Sequence, residues 1–301
     1  MISTEEAVAR LAADPNFRVL RRLDPAAVGG PPLTSGNIRR GAIVDTETTG
    51  MDPQADQVIE IGIVVFEYAA ETGQIGPVVR HLNALEDPGR PIPAAATAIH
   101  HITDDMVKGQ RFDEAAVVQA LSDVSLVIAH NSTFDRPFLE ARFPIFQPLP
   151  WACSIRDIGW RDAGYGSSAL EFLAYRMGFF FDGHRAETDC RAVLAILGRP
   201  LGNTQQSAFR ALLECARQPV VRLYALNSPF ESKDRLKERG YRWAPQEKVW
   251  VGEFPAGDWE EEATWIKQAV YGGASVQVQK ETLDARVRYS GRAGKKERVA
   301  L

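Results

Sequence analysis

Short apolar runs broken by polar turns fill the first two thirds of the chain. Arg40-Gly41-Ala42-Ile43-Val44-Asp45 predicts a short apolar strand. Residues 57–66, Gln-Val-Ile-Glu-Ile-Gly-Ile-Val-Val-Phe, predict a second strand, rich in β-branched side chains. Residues 78–83 suit a third. Leu126-Val127-Ile128-Ala129 is wholly apolar, as buried central strands are. Between and after these the period changes. Residues 113–121, 169–177 and 187–197 carry apolar side chains at helical spacing, and Pro137 starts a helix over 137–142 with the proline in its first turn. A strand-rich start followed by strand–helix alternation predicts an α/β domain on a mixed sheet over residues 40–200.

The flanks read differently. Residues 1–39 form an N-terminal extension, in which Ser3 and Glu6 make a capping box before a short helix over 7–12. Asp14-Pro15 stops that helix, residues 17–23 suit either a strand or a helix, and Gly29-Gly30-Pro31-Pro32 suits a loop. Residues 201–219 are a connector with one amphipathic helix over 205–217, its apolar face formed by Phe209, Leu212, Leu213 and Ala216. Residues 220–290 form a smaller α+β module. Residues 286–298 hold six basic residues against one Glu, which predicts a flexible basic tail over 291–301.

Composition narrows the classes. The 301 residues are 45% hydrophobic and 25% charged, ordinary globular values that exclude collagen-like or wholly disordered chains. The apolar runs fall far short of the roughly 18 residues that a membrane helix needs. The acidic start, Met1-Ile2-Ser3-Thr4-Glu5-Glu6, lacks the basic and apolar regions of a secretory signal. Three cysteines, Cys153, Cys190 and Cys215, contain no CxxC pair and fit a reducing cytoplasm. The net charge of −4 argues against a protein that merely coats nucleic acid. The charge is uneven, however: residues 220–301 carry +3 and the rest −7.

Three constellations carry chemistry. Asp45 and Glu47 lie two apart at the end of an apolar strand, so both carboxylates point to one side. Such a pair needs protons or a cation, and hard divalent ions prefer oxygen ligands. Alone, the pair also suits a polar strand-end turn. Ala129-His130-Asn131-Ser132-Thr133-Phe134-Asp135 again joins an apolar strand to a helix, and Asp135 suits either a site carboxylate or a helix cap. In Gly183-His184-Arg185-Ala186-Glu187-Thr188-Asp189, His184 and Asp189 converge if the histidine lies in the loop and the aspartate in the first helical turn. Histidine is suited to general-base work near neutral pH.

Together and in this order, these segments resemble the DEDDh branch of the 3′–5′ exonuclease superfamily, and within it the epsilon-type proofreading exonucleases of bacterial DNA polymerase. Val44-Asp45-Thr46-Glu47-Thr48-Thr49-Gly50-Met51 and Val58-Ile59-Glu60-Ile61-Gly62 carry the likeness most closely. Thr97-Ala98-Ile99-His100-His101-Ile102-Thr103 is similar to a further family segment, with His101 where glycine is usual. The resemblance covers residues 40–198. It implies an RNase H-like fold with a five-stranded mixed sheet, two Mg²⁺ or Mn²⁺ ions, and release of nucleoside 5′-monophosphates from a 3′ end. By position it implies metal ligands at Asp45, Glu47, Asp135 and Asp189, with Asp45 bridging both ions, and a catalytic base at His184. It also places Thr48, His100 and Phe134 near the terminal nucleotide. Two ions about 4 Å apart suit activation of water and stabilisation of a leaving oxygen.

In the last module, Lys233, Lys237, Arg239 and Arg242 are interleaved with Tyr241, Trp243 and Trp250. The segment resembles a small domain attached to bacterial primases and plasmid-transfer proteins. Cations beside aromatic faces suit a single-strand binder, and the same tryptophans suit a small core. The expectation is a metal-dependent exonuclease acting on single-stranded DNA, with a DNA polymerase or another replication or repair protein as partner and no membrane. The alternatives are an RNA-trimming exonuclease of the same branch, and a non-catalytic nucleic-acid-binding or polymerase-accessory subunit.

Overall fold

The computed structural model describes residues 2–301 and divides into two compact units, Met1–Leu213 and Glu214–Leu301. The first unit opens with α1 (Thr4–Ala13), capped by Ser3, whose hydroxyl accepts from the Glu6 N–H while Glu6 answers to the Ser3 N–H. Strand β1 (Arg21–Arg22) follows. The main sheet is built from β2 (Ile38–Thr48), β3 (Val58–Ala69), β4 (Ile75–Leu85), β5 (Val124–Ala129) and β6 (Trp151–Cys153) in the order β4-β3-β2-β5-β6. β2, β3 and β4 are antiparallel; β2, β5 and β6 are parallel. This is the expected five-stranded mixed sheet. Helices α2 (Ala94–His100), α3 (Asp104–Val107), α4 (Glu114–Leu121) and α5 (Ser132–Arg142) lie between its strands in sequence, and α6 (Leu170–Arg176), β7 (Phe179–Phe180), α7 (Ala186–Leu197) and α8 (Ala208–Ala216) follow it. β1 pairs in parallel with β7, so the segment that suited strand or helix is a short strand.

β3 is buried nearly throughout because both faces of the sheet are covered. On one face Ile61, Ile63 and Val65 pack with Val127, Phe138, Leu139 and Trp151. On the other, α7 packs on β2 and β3. Its first turn comes so close that a Cβ at Gly62 would stand 2.4 Å from the Ala186 carbonyl carbon, so glycine is required there. Phe209 of α8 closes this face edge-on against Phe66 and Tyr68.

The second unit is an antiparallel sheet with helices packed on it. Its strands are β8 (Val220–Ala225), β9 (Arg242–Ala244), β10 (Val249–Pro255), β11 (Gln277–Leu283) and β12 (Lys295–Ala300), in the order β12-β11-β8-β10-β9. With them come α9 (Lys233–Glu238) and α10 (Trp259–Ala269). Leu223, Leu236, Tyr241, Ile266 and Val278 form the core. The basic segment expected to be a tail is instead strand β12, paired along its length with β11. Val299 packs on the core, and the Lys280 ammonium meets Glu297 across the pair. Alternation of one apolar residue with solvated charges is enough for an edge strand, and a charged edge resists further pairing.

Candidate functional site

The carboxyl ends of β2 and β5 and the first turn of α7 open onto a cleft of about 540 Å³. Asp45 and Glu47 reach it from the same face of β2, as residues two apart must. Asp135 reaches it from the first turn of α5, whose cap is Asn131; Asp135 is therefore inside the helix and is not its cap. It is buried, and the Thr46 hydroxyl donates to its Oδ1 at 2.9 Å. Asp189 enters from the first turn of α7 and accepts the His184 N–H at 3.0 Å. Its other oxygen, Oδ1, is buried without a hydrogen-bond partner among the described residues. His184 lies in the loop before α7 in the left-handed region, with φ 63°. That turn lets it converge with an aspartate five positions on: one ligand atom each of Glu47, His184 and Asp189 lie within 4.8 Å of one another.

The electrostatics follow from crowding. Burial, and then repulsion from Asp135, Asp189 and Glu47, hold the Asp45 carboxyl well above the ordinary range. Burial and the charges of Asp189, Glu60 and Asp135 push Glu47 up to about 8, although Arg185 pulls it back. Asp135 and Asp189 are each pushed up to about 7, mainly by burial. Carboxylates raised together in this way gain by binding positive charge. Their oxygens, with one uncommitted Asp189 oxygen among them, suit hard divalent ions.

Thr48, His100 and Phe134, which the resemblance places near a terminal nucleotide, line the same cleft. His100 is buried and accepts the Ile102 N–H on Nδ1 at 3.0 Å, which leaves the proton on Nε2; burial lowers its pKa. His101 is the left-handed C-cap of α2, with φ 59°. That backbone demand explains glycine as the usual residue, and His101 is exposed and does not line the cleft.

The structure adds residues that sequence reasoning gave no role. Met51 and Ile99 line the cleft although they are 79% and 56% exposed. His130 also lines it, bonded through Nδ1 to Ser154 Oγ at 2.7 Å, and burial pushes it down to about 4. Each adjoins or falls within a quoted segment, which was the available signal.

The second unit places its expected contact residues unequally. Arg239 is engaged by Glu261 and Glu262 and lies over the Trp265 ring. Lys237 is 3.9 Å from Asp234. Trp250 is half-buried against the core and meets Trp243 edge-on at 5.7 Å. Trp243 is 48% exposed, and Arg242 beside it is exposed. The Lys233 ammonium sits 4.2 Å over the ring of Phe230, an exposed aromatic to which the sequence assigned no contact role.

Comparison with known proteins gives the same direction. A family model described as Exonuclease (RNase_T) matches residues 42–197. The DNA polymerase III subunit epsilon of Treponema pallidum is 32% identical over 166 residues, half of this chain and 72% of that protein. The PolC-type DNA polymerase III of Thermotoga maritima is 34% identical over 194 residues, which cover 62% of this chain and 14% of that protein. A solved structure of exonuclease X in complex with 5′ overhanging duplex DNA aligns at 26% identity and a TM-score of 0.40, covering 57% of this chain and 99% of that one. Among the described residues, no helix is long and apolar enough to cross a membrane.

Proposed function

The chain belongs to the exonuclease family, and from that premise we propose that it hydrolyses single-stranded DNA from the 3′ end, releasing nucleoside 5′-monophosphates. The observation that carries this is the convergence of Asp45, Glu47, Asp135 and Asp189 with His184 in one cleft. The four carboxylates, all pushed up by burial and three of them, Asp45, Glu47 and Asp189, also by neighbouring negative charge, fit two divalent ions of the Mg²⁺ or Mn²⁺ type, which they would hold. When bound, such ions supply Lewis-acid activation of water and compensate charge on the departing oxygen.

The remaining work falls to the chain's own residues. Thr48, His100 and Phe134 hold the terminal nucleotide, with Phe134 offering an apolar surface. His184 accepts a proton from the attacking water through its imidazole, with the loop fixed by its N–H bond to Asp189. The water oxygen bonds to phosphorus, the bond from phosphorus to the 3′-oxygen breaks, and that oxygen leaves on the shortened strand, taking a proton from solvent to become its 3′-hydroxyl. In the second unit, Arg242, Trp243, Lys233 and Phe230 retain the strand by stacking and phosphate contact. The relatives' names, polymerase subunits among them, support a replication or repair setting with a DNA polymerase as partner.

A nuclease assay across single-stranded DNA, mismatched duplex and matched RNA, with and without Mg²⁺ or Mn²⁺, tests this reading. Metal-dependent release of mononucleotides, fastest from single-stranded DNA, is expected. Faster trimming of RNA would move the substrate to RNA, and no release from any of them would leave a binding role.

A further inference from the structure

Glu60 has no part in the proposed reaction, yet it stands next to it. It is fully buried on β3, directly across from Glu47 on β2. Like charges directly opposite on a sheet repel, and a buried carboxylate without partners is costly. The chain meets it with donors from two directions. From α7, Arg185 Nη2 donates to Oε1 at 2.8 Å, Arg185 Nε lies 3.2 Å from both oxygens, and the Ala186 N–H donates to Oε2 at 3.1 Å. From β4, Asn83 Nδ2 donates to Oε1 at 3.2 Å.

Arg185 and Ala186 directly follow His184; they are the cap and first residue of α7. His184 holds a backbone conformation that non-glycine residues disfavour, and such conformations persist where the surroundings over-determine them. Here the restraints are plain. The His184 N–H is tied to Asp189, and the Arg185 side chain and the Ala186 N–H are both tied to Glu60. Gly62, two residues along β3 from Glu60, lets the whole turn seat against the sheet.

We propose that Glu60 and Arg185 are positioning residues for His184, a bidentate fastening that sets the loop from which the imidazole reaches Glu47 and Asp189. The inference rests on His184 as the base. A guanidinium held by two nitrogens fixes direction as well as distance; an ammonium in its place keeps the charge and loses the direction. The pair also keeps both Glu60 oxygens engaged by donors and away from the cleft, so the carboxylates open to the cleft are those of the proposed metal set.

The test is a double-substitution cycle on the full chain. Arg185→Lys should lower kcat on the order of 10- to 100-fold, as a misplaced reacting group does, with KM little changed. In a His184→Ala background it should lower kcat no further, because there is no imidazole left to position. A second readout is free of turnover: in the metal-free protein, the backbone order parameter of His184 should drop in Arg185→Lys while those of α7 hold. Unchanged kcat in Arg185→Lys, a loss that multiplies onto that of His184→Ala, or an unchanged order parameter would overturn the positioning role. Full activity in His184→Ala alone would instead remove the base assignment, and the positioning role with it.

Discussion

Replacing Glu47 with glutamine should stabilise the metal-free protein while abolishing its turnover. In the folded chain, Glu47 is pushed from 4.5 to about 8, by burial first and then by Asp189, Glu60 and Asp135. A carboxyl raised by folding binds its proton more tightly in the folded state. The stabilisation from that proton is complete below about pH 4.5 and is lost as the pH rises through about 8. Above that, the ionised group opposes folding. At about 1.4 kcal/mol per pH unit the full difference is about 5 kcal/mol. Its neighbours titrate with it and the cleft admits solvent, so about 2–3 kcal/mol is the expected gain from glutamine at pH 8.5. At about 2–4 °C per kcal/mol for a domain of this size, the variant should melt about 4–12 °C higher in EDTA. The gap should shrink toward zero near pH 5. It should reverse in saturating Mg²⁺, which stabilises the wild type by binding. Circular dichroism melts across pH, with and without EDTA, measure all three. Equal melting points at pH 8.5 in EDTA, or a gap independent of pH, would refute the crowding argument.

Other substitutions separate the remaining roles. His184→Ala should lower turnover by roughly 10²–10⁴-fold while metal binding, followed by calorimetry, is retained. His101→Gly should raise stability by about 1 kcal/mol at unchanged turnover, because φ 59° suits glycine better; a thermal melt and a rate assay suffice. Trp243→Ala should weaken binding of a long oligonucleotide by about 1–3 kcal/mol at an unchanged melting temperature, whereas Trp250→Ala, packed on the core, should lower the melting temperature. Fluorescence titrations beside melts distinguish the two.

What the sequence made legible was local. The β-branched run at 57–66 marks a strand because both of its faces are covered, and Asp45 and Glu47 share a side because the strand period is two. The convergence of Asp135 and Asp189 on them was legible only through the resemblance, since nothing in their spacing brings three segments together. Glu60 was hidden for the same reason: inside an apolar strand it reads as one polar position, and its partner Arg185 is 125 residues away. Strand β12 was hidden because six basic residues over 286–298 look like a solvated tail, with Val299 as the one side chain of the strand that packs on the core and the partner strand β11 lying upstream across an intervening loop. Arg239 looked available for phosphate until the fold set Glu261 and Glu262 beside it.

The central claim is metal-dependent removal of nucleotides from a 3′ end by the carboxylate cleft. A 5′-labelled single strand, incubated with the wild type and with Asp45→Asn, tests it most directly. With Mg²⁺ or Mn²⁺ the wild type should shorten the labelled strand one nucleotide at a time, and EDTA or Asp45→Asn should stop it, each losing several orders of magnitude in rate. Shortening that persists in EDTA or in Asp45→Asn, or release of the 5′ label as the first mononucleotide, would contradict the account.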